Sequence, residues 1–216
     1  MFRLVCVLAL GVSIAVGIAT ASPTADELIR QVQNRYNKVR TLSVDFRMED
    51  HHRPPEEGKL TLRKQGKMRW DYTKPAGKLF VADGKTVYLY SARDNKVEKV
   101  PLKDTEDMRA PLAFLLGRLD LRKEFANFAT RPGGEEDGTW LAASAKSDRA
   151  PYERIDMLIA PDGAVRQLKV AGRDQSEIDF YFKEERLNPP VSDAIFHFTI
   201  PPGAEVVDAI QYGAEK

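Results

Sequence analysis

The chain of 216 residues contains one cysteine, three histidines and no strong excess of either charge. The lone thiol, Cys6, has no intrachain partner, so no disulfide framework and no paired-thiolate metal site can form. Lys plus Arg number 33 against 32 Asp plus Glu, and this balance argues against nucleic acid as the partner. Beyond the leader there is no phosphate-binding glycine loop, no G-x-S-x-G elbow and no H-E-x-x-H. His51-His52 sits beside Pro54-Pro55 in a charged segment, and His197 alternates with Phe196 and Phe198 as if in a strand. A metal site needs ligands that converge, and these three histidines read as ordinary ones. No carboxylate pair stands out for acid–base work and no nucleophile–base set is visible. A secreted enzyme such as a lipid hydrolase is therefore disfavoured, and no cofactor is expected.

Long hydrophobic runs are also missing. The one apolar run, Leu4 to Ile18, is shorter than the ~20 residues a spanning helix takes. Arg3 before it and Ala19-Thr20-Ala21 after it give the pattern of a cleaved export leader over residues 1–21. Cys6 lies inside the run without the small-residue context of a lipid anchor. Residues 22–216 suit one domain, exported and free of cysteine.

What is present is mostly β pattern. Thr24-Ala25-Asp26-Glu27 spells a capping box, and Leu28, Ile29, Val32, Tyr36 and Val39 recur at helical spacing behind it. From Leu42 the period becomes two, through Val44, Phe46 and Met48, until residues 51–57 interrupt the strand. Later strands read over 96–100, 140–145, 152–160, 165–171 and 176–183, with turns at Pro161-Asp162-Gly163 and Gly172-Arg173-Asp174. On the third from last of these, Ile155, Met157 and Ile159 alternate with Arg154, Asp156 and Leu158. Residues 121–128 fit helix and strand equally, 131–138 read as a solvated loop, and 189–195 as a helical turn. The sum is a mainly β, α+β chain of about eleven strands, which implies a strongly curved sheet or incomplete antiparallel barrel.

The stretch from Gly58 to Tyr90 carries the most information. It reads as four short strands, with Asp83-Gly84 supplying a tight hairpin. One face repeats Leu60, Leu62, Met68, Trp70, Tyr72, Val87 and Leu89; the other repeats Lys59, Thr61, Arg63, Arg69 and Asp71. The greasy face, joined by Phe80, Ile155, Met157, Ile178 and Phe180, is either an ordinary β core or the lining of an apolar cavity. Leu112 to Leu116 is apolar on every side and must be buried or must cover something apolar. Together they exceed what one amphipathic helix can cover, which favours the cavity without deciding it.

W-D-Y-T-K-P and K-L-F-V-A-D-G-K-T-V-Y-L-Y in this stretch, P-L-A-F-L-L-G at 111–117 and F-H-F-T-I-P-P-G-A-E-V at 196–206 occur in that order. The ordered set resembles the LolA-type outer-membrane lipoprotein carriers. The resemblance implies an apolar cavity lined by Leu60, Leu62, Met68, Trp70, Phe80, Val87, Leu89, Ile155, Met157, Ile178 and Phe180, under a lid of short helices that includes Leu112, Phe114, Leu115 and Leu116. It implies a monomeric periplasmic carrier with acylated lipoproteins as cargo, an inner-membrane ABC-type releasing complex as donor and an outer-membrane lipoprotein receptor as acceptor. An arginine that latches the lid in the family aligns with Lys64; Arg63 is the nearest guanidinium, and a lysine lacks the planar fork. Another apolar ligand held by the same barrel is the alternative.

Overall fold

The computed structural model describes residues 22–50, 52–64, 66–102, 119–148, 150 and 152–208. Helix α1 (Ala25–Asn37) starts where the sequence places it. The Thr24 hydroxyl accepts from the Glu27 N–H at 3.3 Å, and the Glu27 carboxylate accepts from the Thr24 N–H at 2.8 Å. Leu28, Ile29, Val32 and Tyr36 form its buried stripe. At the far end Lys64 Nζ donates to the Tyr36 and Asn37 carbonyls at 2.9 and 2.8 Å. The Tyr36 carbonyl also accepts from the Val39 N–H at 3.2 Å, so Lys64 adds a cation to a helix end whose dipole is negative.

The period-two segments become β1 (Thr41–Asp50), β2 (Arg53–Arg63), β3 (Lys67–Lys74), β4 (Lys78–Asp83), β5 (Thr86–Ser91) and β6 (Lys96–Pro101). After α2 (Leu121–Glu124) come β7 (Phe125–Pro132), β8 (Thr139–Ala145), β9 (Tyr152–Ile159), β10 (Val165–Gly172) and β11 (Glu177–Leu187). A 3-10 turn at Asp193–Phe196 leads to β12 (Glu205–Asp208). All form one 12-stranded sheet in the order β12-β6-β5-β4-β3-β2-β1-β11-β10-β9-β8-β7. Two meanders, β1–β6 and β7–β11, are stitched by the antiparallel pair β1–β11; β12 alone adds in parallel, to β6. The ends of the order, β7 and β12, do not pair with each other, so the sheet is open. It is also strongly curved. Trp70 on β3 and Phe180 on β11 lie three strand spacings apart, roughly 14 Å on a flat sheet, yet their ring centroids are 6.3 Å apart.

Several expectations need correction. The interruption expected over 51–57 is shorter, because β2 begins at Arg53 and takes in 53–57. Pro54 and Pro55 fall where the β1–β2 register shifts, a place where a missing N–H costs no ladder bond. Residues 121–128 are neither helix nor strand alone but one helical turn running into β7, which takes in Arg131 and Pro132 from the expected loop. His197 lies in no strand; it caps the 3-10 turn. The outer face of β2 to β6 is less wet than its charges suggest. The segment after β11 lies across it, with Arg63 and Lys67 on Asp193 at 2.9 and 2.7 Å and Arg69 on the Ile195 carbonyl at 3.0 Å. Phe198 there packs on Tyr88 and Tyr90, and Val81 and Val97 of that face are fully buried. Leu158, grouped with the polar side of β9, is buried too. It pairs with Trp140, whose ring carries Arg131 at 4.5 Å.

Candidate functional site

Alternation along the strands collects the apolar side chains on the concave face. Leu42, Leu62, Met68, Ala82 and Val87 are cross-strand partners in one row; Val44, Leu60, Trp70, Phe80 and Leu89 make the next. On the other meander Leu141, Met157, Leu168 and Phe180 continue the surface and meet Met48 of β1, followed by Ala143, Ile155, Val170 and Ile178. All eleven residues expected to line a cavity therefore lie on one face and in one apolar cluster, together with the α1 stripe.

Burial within this cluster is graded. Leu60, Val87 and Met157 are fully buried, and Leu62, Met68 and Ile155 nearly so. The row from Leu62 to Val87 lies at the end of the strands where Lys64 holds α1. Met48, Tyr72, Phe80, Leu89 and Ile178 are only half-buried, and they lie farther along the strands. An apolar ligand would meet these side chains first.

Four aromatic rings stiffen the middle of the face. Phe46 meets Trp70 edge-on at 4.5 Å and Tyr72 at 5.3 Å, while Trp70 also contacts Phe180. The indole N–H rests on the Met68 thioether. Gly58, opposite both Phe46 and Tyr72, leaves room for these rings. Phe46 and Phe182 were legible as strand residues, but only three-dimensional register joins them to the site. Charge stays at the rim. Lys78 Nζ bonds Glu56 at 2.6 Å and stands 4.5 Å over the Tyr72 ring. Burial, then the Glu56 charge, raises the Tyr72 phenol well above its ordinary value, so it is neutral in water at any ordinary pH.

Of the two latch candidates, Lys64 reaches the end of α1 as described above. Arg63 turns to the convex face and holds Asp193 and the Val191 carbonyl. Leu112, Phe114, Leu115 and Leu116 lie outside the described residues. Among the described residues no group of three or more His, Cys, Asp or Glu could hold a metal ion, and no helix is long and apolar enough to cross a membrane.

An open, curved sheet with one continuous apolar face is the architecture the motifs imply, and comparison with known proteins decides the family. Residues 37–199 match the family model of the outer membrane lipoprotein carrier protein LolA. The chain belongs to the LolA family. An outer-membrane lipoprotein carrier protein of Cupriavidus taiwanensis is 34% identical over 152 residues, 69% of each chain. One from Chromobacterium violaceum is 28% identical over 198 residues, covering 89% of this chain and 93% of the relative. The crystal structure of an uncharacterized conserved protein from Thermus thermophilus shares the fold at TM-score 0.51 and 14% identity, over 85% of this chain and 98% of that one. In this LolA-family chain the quoted motifs fall on β3–β5 and on the segment crossing the convex face, except for 111–117, which lies outside the described residues.

Proposed function

We propose that this LolA-family protein is a periplasmic carrier that shields the acyl chains of lipoproteins on its concave face and moves them from the inner to the outer membrane. The observation that carries the reading is the continuous apolar face of an open sheet, half-exposed at Met48, Tyr72, Phe80, Leu89 and Ile178. The physical problem is desorption. A triacylated N-terminus holds roughly 45 methylenes at ~0.8 kcal/mol each, so leaving the bilayer for water costs on the order of tens of kcal/mol. An apolar face removes most of that cost by replacing lipid with Leu, Met, Phe and Trp. Such contacts have no directional demand, so one site accepts many cargoes and still releases them.

Residues 1–21 act as the export leader in this reading and 22–216 as the single carrier domain. The chain has no nucleotide motif, so energy for loading comes from outside; an inner-membrane ABC-type complex is the donor and an outer-membrane lipoprotein receptor the acceptor. Leu112, Phe114, Leu115 and Leu116 form a lid that competes with cargo for the apolar face. Lys64 fixes the adjoining end of α1.

The test compares charges placed at two depths. Phe80→Glu and Ile178→Glu are reachable by water, so these variants fold and lose capture of a triacylated lipoprotein. Leu60→Glu places the charge in a dry position and unfolds the domain. If the Phe80 and Ile178 variants fold and still capture the lipoprotein at the wild-type level, the face is only a core and the carrier reading fails.

A further inference from the structure

Where β1 starts and β2 and β11 end, beyond the end of α1, lies an open cleft of about 850 Å³. Lys38, Arg40, Arg63 and Lys64 line it with no carboxylate among the lining residues, and Pro189 and Pro190 form part of the opposite wall. This is not a reflection of a basic chain, whose formal net charge is +1. Elsewhere cations meet carboxylates: Lys74 meets Glu57 at 3.0 Å, Lys78 meets Glu56 at 2.6 Å and Lys169 meets Asp179 at 3.1 Å. In the cleft, Lys38 and Arg40 have no side-chain ion pair among the described residues. Arg63 shares the half-exposed Asp193 with Lys67. Lys64 spends two of its three N–H donors on the helix carbonyls and keeps one. With cations and no carboxylate among its lining residues, the cleft is complementary to an anion from outside.

We propose that this cleft docks an extended acidic segment of a partner protein, with Asp or Glu side chains on the cationic wall and apolar side chains on the prolines. Two features select this occupant. The proline wall offers ring surface and carbonyls but no N–H donors, so anion recognition falls to Lys38, Arg40 and the remaining donor of Lys64, and the far wall suits apolar contact. The cleft is concave, and a planar bilayer surface would touch its rim and leave Lys64 unreached. The site is separate from the concave face and does not depend on the acyl-chain reading.

The experiment uses residues 22–216 and a fluorescein-labelled short peptide that alternates Glu with Leu, followed by anisotropy at low salt. Lys38→Glu/Arg40→Glu should weaken binding by about tenfold or more, equal to ~1.4 kcal/mol. Lys38→Gln/Arg40→Gln should weaken it less, and a peptide with Gln in place of Glu should not bind. Lys123→Glu/Arg166→Glu changes net charge equally at exposed positions outside the cleft and should retain most of the affinity. Capture of a triacylated lipoprotein, measured on the same variants, should be unchanged, which separates this site from the cargo face. The proposal is overturned if the peptide does not bind, or if the Lys123/Arg166 variant loses as much as the Lys38/Arg40 variant. It is also overturned if phosphatidylglycerol vesicles bind through Lys38 and Arg40 while the peptide does not.

Discussion

The seat of α1 rests heavily on one phenol, and Tyr36→Phe tests it. Tyr36 is 3% exposed; its hydroxyl donates to Glu185 Oε2 at 2.8 Å and accepts from the Val165 N–H at 3.0 Å. Glu185 also takes Arg35 at 3.0 Å, and Arg35 continues to the Asp162 carbonyl at 3.2 Å. One oxygen thus ties the helix to β10 and β11. Its removal withdraws a bond from a largely buried carboxylate and a partner from a buried amide, and leaves the ring in place. Each loss is worth ~1–3 kcal/mol and the two overlap, so about 3 kcal/mol in total is expected. For a domain of this size that lowers Tm by about 6–12 °C. Thermal and urea unfolding followed by circular dichroism measure it, and the urea slope should not change. Burial, followed by the Glu185 charge, raises the phenol far above its ordinary 10.0. A group whose folded value is raised contributes fully below its unfolded value, so the wild-type advantage over Tyr36→Phe should be constant up to about pH 10 and fall above it. A Tm within 1–2 °C of wild type, on the order of the assay's resolution, would show that Arg35 and the apolar stripe hold the helix without the phenol.

Three further outcomes are expected. Gly58→Ala places a Cβ 2.1 Å from the Asp71 carbonyl oxygen and 2.9 Å from Tyr72 Cα, both backbone, so it should cost ~1–3 kcal/mol in urea unfolding; wild-type stability would mean that β2 and β3 part freely. The carboxyl of Asp193 is held below its ordinary 3.8, first by the hydrogen bond from Lys67, so its grip on the segment after β11 is present above that value and lost as pH falls through the folded value. Amide protection relative to the intrinsic exchange rate should fall over residues 193–198 in acid, and Asp193→Asn should show the lower protection at neutral pH as well; no difference between the two proteins at neutral pH refutes the anchor. Lys64→Met keeps the aliphatic stem but removes the bonds from Nζ to the Tyr36 and Asn37 carbonyls, so exchange in the last turn of α1 should accelerate at a cost of ~1–2 kcal/mol, and unchanged exchange counts against a latch at this position.

Local chemistry made most of the fold legible. The Thr24–Glu27 box, the alternation through Met68, Trp70 and Tyr72 and the Asp83-Gly84 turn are short-range signals, and each one appears in the structure at its expected place. Gly84 takes the positive φ that its hairpin requires, while the Asp83 carboxylate accepts from the Lys85 and Thr86 amides. Failures occurred where the deciding contact was distant. Pro54-Pro55 reads locally as a strand break, yet a register shift against β1 absorbs it. Arg63 and Arg69 read as a wet face because nothing in β2 or β3 reports that Asp193 and the Ile195 carbonyl come back across them. Leu158 looked misplaced among polar neighbours until its register partner Trp140 supplied the cover. The cationic cleft has the same origin, since residues 38–40, 63–64 and 188–191 meet only after β1, β2 and β11 have paired.

That division also bears on how a carrier of this kind lets go. Specific polar fixtures on the concave face would raise affinity for one cargo and slow its departure, since each buried unmatched group costs ~1–3 kcal/mol with the wrong ligand. The charges lie instead on the convex face and the rim, in pairs such as Lys78–Glu56 and Lys74–Glu57. What remains inside is apolar area, graded from the closed row beside α1 to the half-buried Phe80, Leu89 and Ile178. Binding that scales with area can be given up one stretch of acyl chain at a time, so no single step carries the whole desorption cost. A continuous apolar gradient therefore favours transfer by progressive exchange between two apolar surfaces over release into water.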